Sequence, residues 1–293
     1  ALIRSRTRAA LESLPENTPF NWVELVSRNL TTQMLATLFD FPWEERHKLS
    51  MWSDAVVSDE RITGKADLTL EERQLMAAEI FETFSRLWQE RLDDGVESFD
   101  LIRLMQKDPN TRDLINDPVM FIGNLMLLIV GGNDTTRNSM TGGVVFFNEN
   151  PREFEKLRNE TSLIPSMVSE VIRFQTPLPH MRRTLTRDFE FKGHRMKEGD
   201  KVVLWYCSAN RDEAVIKNPD SFVIDRESPR NHASFGFGIH RCMGNRLAEM
   251  QLRVLWEECL DLFESIEVQA EPKRLSNNFV RGYSELEVVV KRH

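Results

Sequence analysis

Three groups of residues in this 293-residue chain combine reactive side chains with a spacing that could use them. The first is Phe235-Gly236-Phe237-Gly238-Ile239-His240-Arg241-Cys242-Met243-Gly244, a cysteine at the start of a helical pattern behind a glycine-rich loop. Helix N-termini present free amide N–H groups and favour negative charge, so a thiolate at Cys242 should be stabilised and its pKa lowered. Gly236, Gly238 and Gly244 would let the backbone pass close to a flat ligand. The second group is Gly131-Gly132-Asn133-Asp134-Thr135-Thr136, inside a long helical pattern. Each glycine there costs about 1 kcal/mol against alanine and needs a reason. Room for a small molecule beside an acid and a hydroxyl that can move protons would supply one. The third is Glu170-Val171-Ile172-Arg173, a carboxylate and a guanidinium three apart on one helix face. Alone, such a pair is commonly a surface pair worth little.

The first string resembles the haem-binding signature of the cytochrome P-450 superfamily: Phe, two residues, Gly, three residues, Cys, one residue, Gly. Every fixed position is filled. The resemblance implies haem b (iron protoporphyrin IX) as cofactor, with Cys242 as the ligand to its iron. Phe235 would pack on the proximal side of the macrocycle, and His240 or Arg241 would meet its acidic edge. Gly131 to Thr135 is similar to the family's oxygen-activation motif, which implies that Gly131 and Gly132 open space for O2 or substrate. Asp134 and Thr135 would then be the catalytic pair, delivering protons to iron-bound oxygen. In the family, the Glu-Arg pair is buried and joined by a second arginine. Phe222-Val223-Ile224-Asp225-Arg226 matches that later segment, making Glu170, Arg173 and Arg226 a structural triad that clamps the Cys242 loop. Arg183, five residues before Asp188, matches an arginine placed on a haem propionate, with the adjacent Arg182 as its competitor.

The phrases LMLLIVGGNDTTRNSMTGG, TPLPHMRRTLTRD and SFGFGIHRCMGNRLAEMQLRVLWEE look very close to the bacterial alkane hydroxylase branch. That resemblance implies oxidation of the terminal methyl of a medium-chain alkane, or of a related alcohol or fatty acid. Electrons would come from a ferredoxin and its ferredoxin reductase. The alternative within the superfamily is a sterol side-chain terminal hydroxylase, which shares the GG-x-[DE]-TTRNS phrase. The alternative in another class is a non-catalytic haem-binding protein, in which Asp134 and Thr135 would be superfluous. The expected substrate pocket is apolar: Leu127, Leu128 and Val130 from the long helix, then Leu178, Pro179, His180 and Met181, with Phe279 and Val280 closing it. A hydrocarbon would be held there by burial, at about 0.8 kcal/mol per methylene. Arg241, Arg246 and Arg253 are the expected contacts for an acidic ferredoxin.

The elements that must position these groups are mainly helical. Apolar residues at Trp22, Leu25, Val26, Leu30, Met34, Leu35 and Leu38 predict a helix over Trp22 to Phe39, ended or interrupted by Pro42. A second runs from Leu70 to Leu92, with Leu75, Ala78, Ile80, Phe84, Leu87 and Trp88 inward and Asp93-Asp94-Gly95 as its stop. Asp117-Pro118 starts a long helix reaching about Phe147. Others start near Pro151 and Pro165, the latter ending before Pro177. Asp188 to Lys192 and Lys201 to Cys207 read as strands, Met243 to Phe263 as a helix, and Glu285 to Val290 as a final strand. The fold class is therefore mainly α with a small β portion (α+β), in one haem-thiolate domain over 1–293. The resemblance implies the cytochrome P-450 fold with its N-terminal part missing, including a second group of propionate ligands.

Composition agrees. The chain is 41% hydrophobic and 29% charged, with a net charge of −8, which argues against a nucleic-acid partner. Three cysteines, Cys207, Cys242 and Cys259, do not form a disulfide framework and suit a reducing cytoplasm. Cys207 and Cys259 have ordinary core surroundings. The longest apolar run, Leu125 to Val130, is far short of the ~20 residues of a spanning helix, so no membrane span is expected.

Overall fold

In the computed structural model, residues 1–57, 68–93, 95–96 and 98–293 are described. Asp94, in the expected helix stop, lies outside them. The chain opens with α1 (Leu2–Glu12), a short β1 (Phe20–Asn21), a π-helical turn (Val23–Arg28) and α2 (Asn29–Phe39). Helices α3 (His47–Val57), α4 (Leu70–Asp93), α5 (Leu101–Lys107), α6 (Pro118–Glu149), α7 (Pro151–Asn159) and α8 (Ile164–Gln175) follow. Strands β2 (His180–Thr184), β3 (Phe189–Phe191), β4 (His194–Met196) and β5 (Lys201–Trp205) come next, then a single turn α9 (Tyr206–Ala209). The chain closes with α10 (Asn245–Leu262), β6 (Phe263–Val268), β7 (Lys273–Arg274), β8 (Tyr283–Glu285) and β9 (Glu287–Arg292).

The axis of the molecule is α6. Asp117 caps it by accepting from the Met120 amide at 3.1 Å, and Pro118 fills the first turn, where no amide donor is required. Asn150-Pro151 ends it. By length and composition it could cross a membrane, but it is the shared wall of two cores and carries buried Asn133, Asp134, Arg137 and Asn138. Its first half packs with α2 to α5 around Phe39, Trp52, Phe84, Trp88, Phe121 and Leu125. Its second half packs with α1, α8, α10 and the β6–β9 sheet around Met140, Phe146, Phe147, Trp256 and Val288. Close approach needs missing side chains: a Cβ on Gly143 would sit 3.0 Å from the Trp256 ring.

The sheets are small and antiparallel. Three strands order as β1-β9-β6, with Phe20 opposite Val288 and Ile266 opposite Val290. β2 pairs with β5, β3 with β4 and β7 with β8. Lys192 (φ 49°) and Gly193 (φ 79°) both take the left-handed region, as a two-residue hairpin loop between β3 and β4 requires.

Several boundaries differ from the sequence reading. The first expected helix begins as a π-helical turn. Its wider repeat rotates the apolar stripe, so Val23 and Val26 are buried and Leu25 is exposed. Leu75 and Ala78 point outward on α4, because its first turns extend beyond the core that Ile80, Phe84, Leu87 and Trp88 enter. His180 to Thr184 form a strand that the sequence reading did not assign. The expected final strand splits at Leu286 into β8 and β9, and Cys207 lies in α9 after the strand.

Candidate active site

Glu170 lies on α8 and is fully buried, as is Arg173 one turn on. The carboxylate accepts from Arg173 Nε at 2.7 Å and its second terminal nitrogen at 2.8 Å, from Arg226 Nε at 2.8 Å and from the Val223 amide at 2.9 Å. The expected trio is thus brought together. Its connection to Cys242 runs through residues that sequence reasoning missed. Arg173 donates to the Asn210 carbonyl at 2.6 Å. Asn210 accepts from the Ala233 amide at 2.6 Å and donates to Ser234 Oγ at 2.8 Å, and Ser234 donates to the Ile172 carbonyl at 3.0 Å. Phe235 follows, packed against the second core, and its carbonyl accepts from the Cys242 amide at 2.8 Å. Asn210 has partners 23 and 37 residues away, so no local spacing marks it.

Cys242 stands exposed just before α10, whose N-cap is Gly244. Contrary to the sequence expectation, burial around its sulfur pushes the thiol up, outweighing the Gly244 amide and Arg241, which pull it down. A bound metal ion would take the place of that proton. His240 and Arg241 are both exposed, so either remains free to meet an acidic group. Gly238 (φ 76°) and Gly244 have open space where a Cβ would be. Gly236 does not. It is buried at φ 65°, and a Cβ there would lie 2.9 Å from the Tyr206 hydroxyl, so its role is the turn and that contact rather than access for a ligand.

On α6, residues spaced by four separate into open and closed faces. Leu127 is 71% exposed, Gly131 is open with nothing near a Cβ, and Thr135 is half-buried on the same stripe. The Thr135 hydroxyl donates to the Gly131 carbonyl at 2.8 Å. Gly132 is a correction. A Cβ there would meet Leu35 of α2 at 2.9 Å, so this glycine serves helix–helix approach and opens no space. Leu128 and Val130 likewise turn toward the first core, and Val280 is 1% exposed. Val280 is thus taken up in the packed interior, whereas Leu128 and Val130 stay half-buried against the first core. Asp134 is completely buried and faces α3. It pairs with Arg137 and accepts from Ser53 Oγ at 2.6 Å, and Arg137 reaches Asp54 at 3.0 Å. Burial pushes the Asp134 carboxyl up, against Arg137 and the Ser53 hydroxyl.

The antiparallel register of β2 and β5 places Met181 and Arg183 on one face with Leu204 and Val202, and His180 and Arg182 on the other with Trp205 and Val203. This separates the two candidate arginines. Arg183 makes no ion pair among the described residues and donates only to the Arg182 carbonyl. His180 stacks edge-on against Trp205 at 4.8 Å. Leu178, Pro179 and Met181 are half-buried and Phe279 is exposed. Trp205, Phe237, Ile239 and Met243 are also large apolar side chains left in the open. A thiol, a loop stripped of side chains at Gly238 and Gly244, an open helix stripe at Gly131 and a guanidinium without an ion pair among the described residues suit a flat apolar group with an acidic edge and a thiolate-bound metal. Haem b has that shape and charge.

The family model described as Cytochrome P450 matches residues 65–289. Linalool 8-monooxygenase of Pseudomonas putida is 34% identical over 98% of this chain and 70% of its own length. The methyl-branched lipid omega-hydroxylase of Mycobacterium tuberculosis is 31% identical over 98% of this chain and 67% of its own. Among solved structures, cytochrome P450-153 from Novosphingobium aromaticivorans superposes with a TM-score of 0.88 at 45% identity, covering 99% of this chain and 70% of that one. CYP153D17 from Sphingomonas sp. PAMC 26605 does so with a TM-score of 0.83 at 44% identity, covering 99% and 72%. The chain spans about 70% of the length of these relatives. Sequence likeness across nearly the whole chain thus agrees with what the Cys242 loop and α6 present, and the chain belongs to the cytochrome P450 family, the haem b-dependent monooxygenases.

Proposed function

We propose that this protein inserts one oxygen atom from O2 into the terminal methyl of a medium-chain alkane, or of a related primary alcohol or fatty acid. Electrons come from a ferredoxin and its reductase in the cytoplasm. The observation that carries this reading is the uncharged open stripe of α6, Leu127–Gly131–Thr135; Leu178, Met181 and Phe279 are further apolar side chains that are not fully buried. Such a lining holds a hydrocarbon by burial and offers no charged partner to a polar substrate. The sequence phrases shared with the bacterial alkane hydroxylases point the same way. So does the name of the mycobacterial relative, an omega-hydroxylase of methyl-branched lipids.

Bound haem supplies the reductive activation of O2. The chain's own residues do the rest. Cys242 would ligate the iron, and the Glu170 clamp holds its loop in place through Asn210 and Ser234. Gly131 leaves space beside the helix, and the Thr135 hydroxyl, one rotation away from the Gly131 carbonyl, offers a proton into that space. Asp134 backs the same turn with a carboxyl whose proton is retained more readily than usual. Arg183 would receive an acidic edge of the macrocycle, and Arg241, Arg246 and Arg253 would present positive charge to the electron donor. The test is conversion of octane in the presence of a surrogate ferredoxin, its reductase and NADH. Accumulation of 1-octanol supports the reading. Absence of any octanol, with side-chain hydroxylation of a sterol instead, overturns it in favour of a sterol oxidase.

A further inference from the structure

The oxygen-activation turn of α6 and the segment that leads into β8 meet at one contact for which neither motif provides a reason. Asn138 is completely buried. Its Nδ2 donates to the Asp134 carbonyl at 2.8 Å, and its Oδ1 accepts from the Tyr283 amide at 3.0 Å. The side-chain amide lies flat on Gly282. A Cβ at Gly282 would fall 2.0 Å from Asn138 Oδ1 and 2.1 Å from Cγ. An amide pinned at both ends has nowhere to go, so position 282 admits no side chain unless the segment moves. The segment is tied from the other side as well. The Arg281 amide donates to the Pro177 carbonyl at 2.8 Å, and the Arg281 carbonyl accepts from Gln175 Nε2 at 2.8 Å. Arg281 to Tyr283 is thereby anchored to α6, Gln175 and Pro177, and Phe279, an exposed apolar residue, lies two positions before the first of these ties.

We infer that Asn138 and Gly282 act as a matched positioning pair that sets how far Phe279 stands from the Asp134–Thr135 turn, and so how long an apolar chain the site accepts end-on. The inference rests on the proposed reading of Phe279 as pocket lining. Neither residue touches the reacting atoms. Their effect is a difference in tail-length preference, which a role in folding alone would not produce.

The experiment titrates the haem-loaded protein with imidazole, 1-butylimidazole and 1-octylimidazole, following the nitrogen-ligation shift of the Soret band. The ring reports on the iron, and the tail reports on the space beside α6, whatever the natural substrate. The wild type should prefer the octyl compound over imidazole. In Gly282→Ala that preference should fall about tenfold, equivalent to about 1.4 kcal/mol, while imidazole affinity stays unchanged. Asn138→Ala removes the anchor and should also weaken the preference. The double variant should be no worse than Asn138→Ala alone, because the new methyl takes the space the amide vacated, whereas independent sites would add their losses. Unchanged tail preference in Gly282→Ala, or additive losses in the double variant, overturns the inference. If Gly282→Ala does not fold, Asn138→Ala decides alone: a wild-type tail preference in it overturns the pairing. Failure of the alkane reading shows separately, as absent octane oxidation with the imidazole series intact.

Discussion

Glu170 and Asp134 are both completely buried carboxylates, and each is held by an arginine three residues on. Their surroundings differ. Glu170 receives four hydrogen bonds from three residues, and its arginines go on to bind the carbonyls of Asn210, Pro219 and Ser221. Asp134 has Arg137 and one serine hydroxyl, and Arg137 Nε has no partner among the described residues. The first arrangement is closed and serves position. The second is held by fewer bonds, and the unfavourable burial of its charge raises the carboxyl. The same acid–Arg spacing therefore builds a clamp of two arginines and a backbone amide on α8, and on α6 a buried carboxyl held by one arginine and one serine hydroxyl.

The largest expected effect breaks the clamp. Glu170→Ala leaves Arg173 buried without its counter-charge and should cost about 3–5 kcal/mol, with loss of haem as the Cys242 loop loosens. Chemical denaturation with the Soret band as a second probe would check both. A smaller effect distinguishes the two regions by pH. His232, packed at 5.4 Å from Phe235, is pushed down to about 4 by burial first and then by Arg173, with Arg230 and Arg241 adding and Glu170 opposing. The unfolded chain therefore binds the proton first. Stability should fall on acidification from the ordinary histidine range toward pH 4, by on the order of 3 kcal/mol. His232→Asn should flatten that slope in a series of melting curves, and an unaltered slope would refute the assignment.

Asp134 gives the opposite sign. A carboxyl raised in the folded state keeps its proton longer than in the unfolded chain, so its contribution to stability is fullest below the ordinary aspartate pKa and is lost as pH rises through the raised one. Asp134→Asn should remove this component, seen as a melting temperature less sensitive to pH on the acid side. The smallest structural effect belongs to Thr135→Ala. Among the described residues its hydroxyl bonds only back to Gly131, so stability should change by about 1 kcal/mol or less. NADH consumption should nonetheless uncouple from product, with hydrogen peroxide released. Full coupling in that variant would show that the hydroxyl delivers no proton.

Much of this site was readable before any coordinates. The Cys242 loop, the Thr135 turn and the Glu170–Arg173 pair are local strings in which spacing along the chain fixes spacing in space. Asn210, Ser53 and Gly282 carry no such local mark, because each works through a partner brought from another element: Ser53 lies 81 residues from Asp134, and the Tyr283 amide 145 from Asn138. The glycines show the same division. Gly131 and Gly132 are neighbours with equal helical cost, yet one faces open space and the other Leu35. Only the position of α2 separates them. The π-helical turn at Val23–Arg28 was invisible for a related reason. Apolar spacing of three and four fits an α-helix, and the tertiary contacts of Trp22, Val23 and Val26 overrode it.

The central claim is that Cys242 is the thiolate ligand on which the rest of the site depends. The most direct test is the carbon-monoxide difference spectrum of the reduced, haem-loaded protein beside that of Cys242→Ala. A thiolate-type Soret band in the wild type that disappears in the variant is the predicted result. The same band persisting without Cys242 would contradict the account.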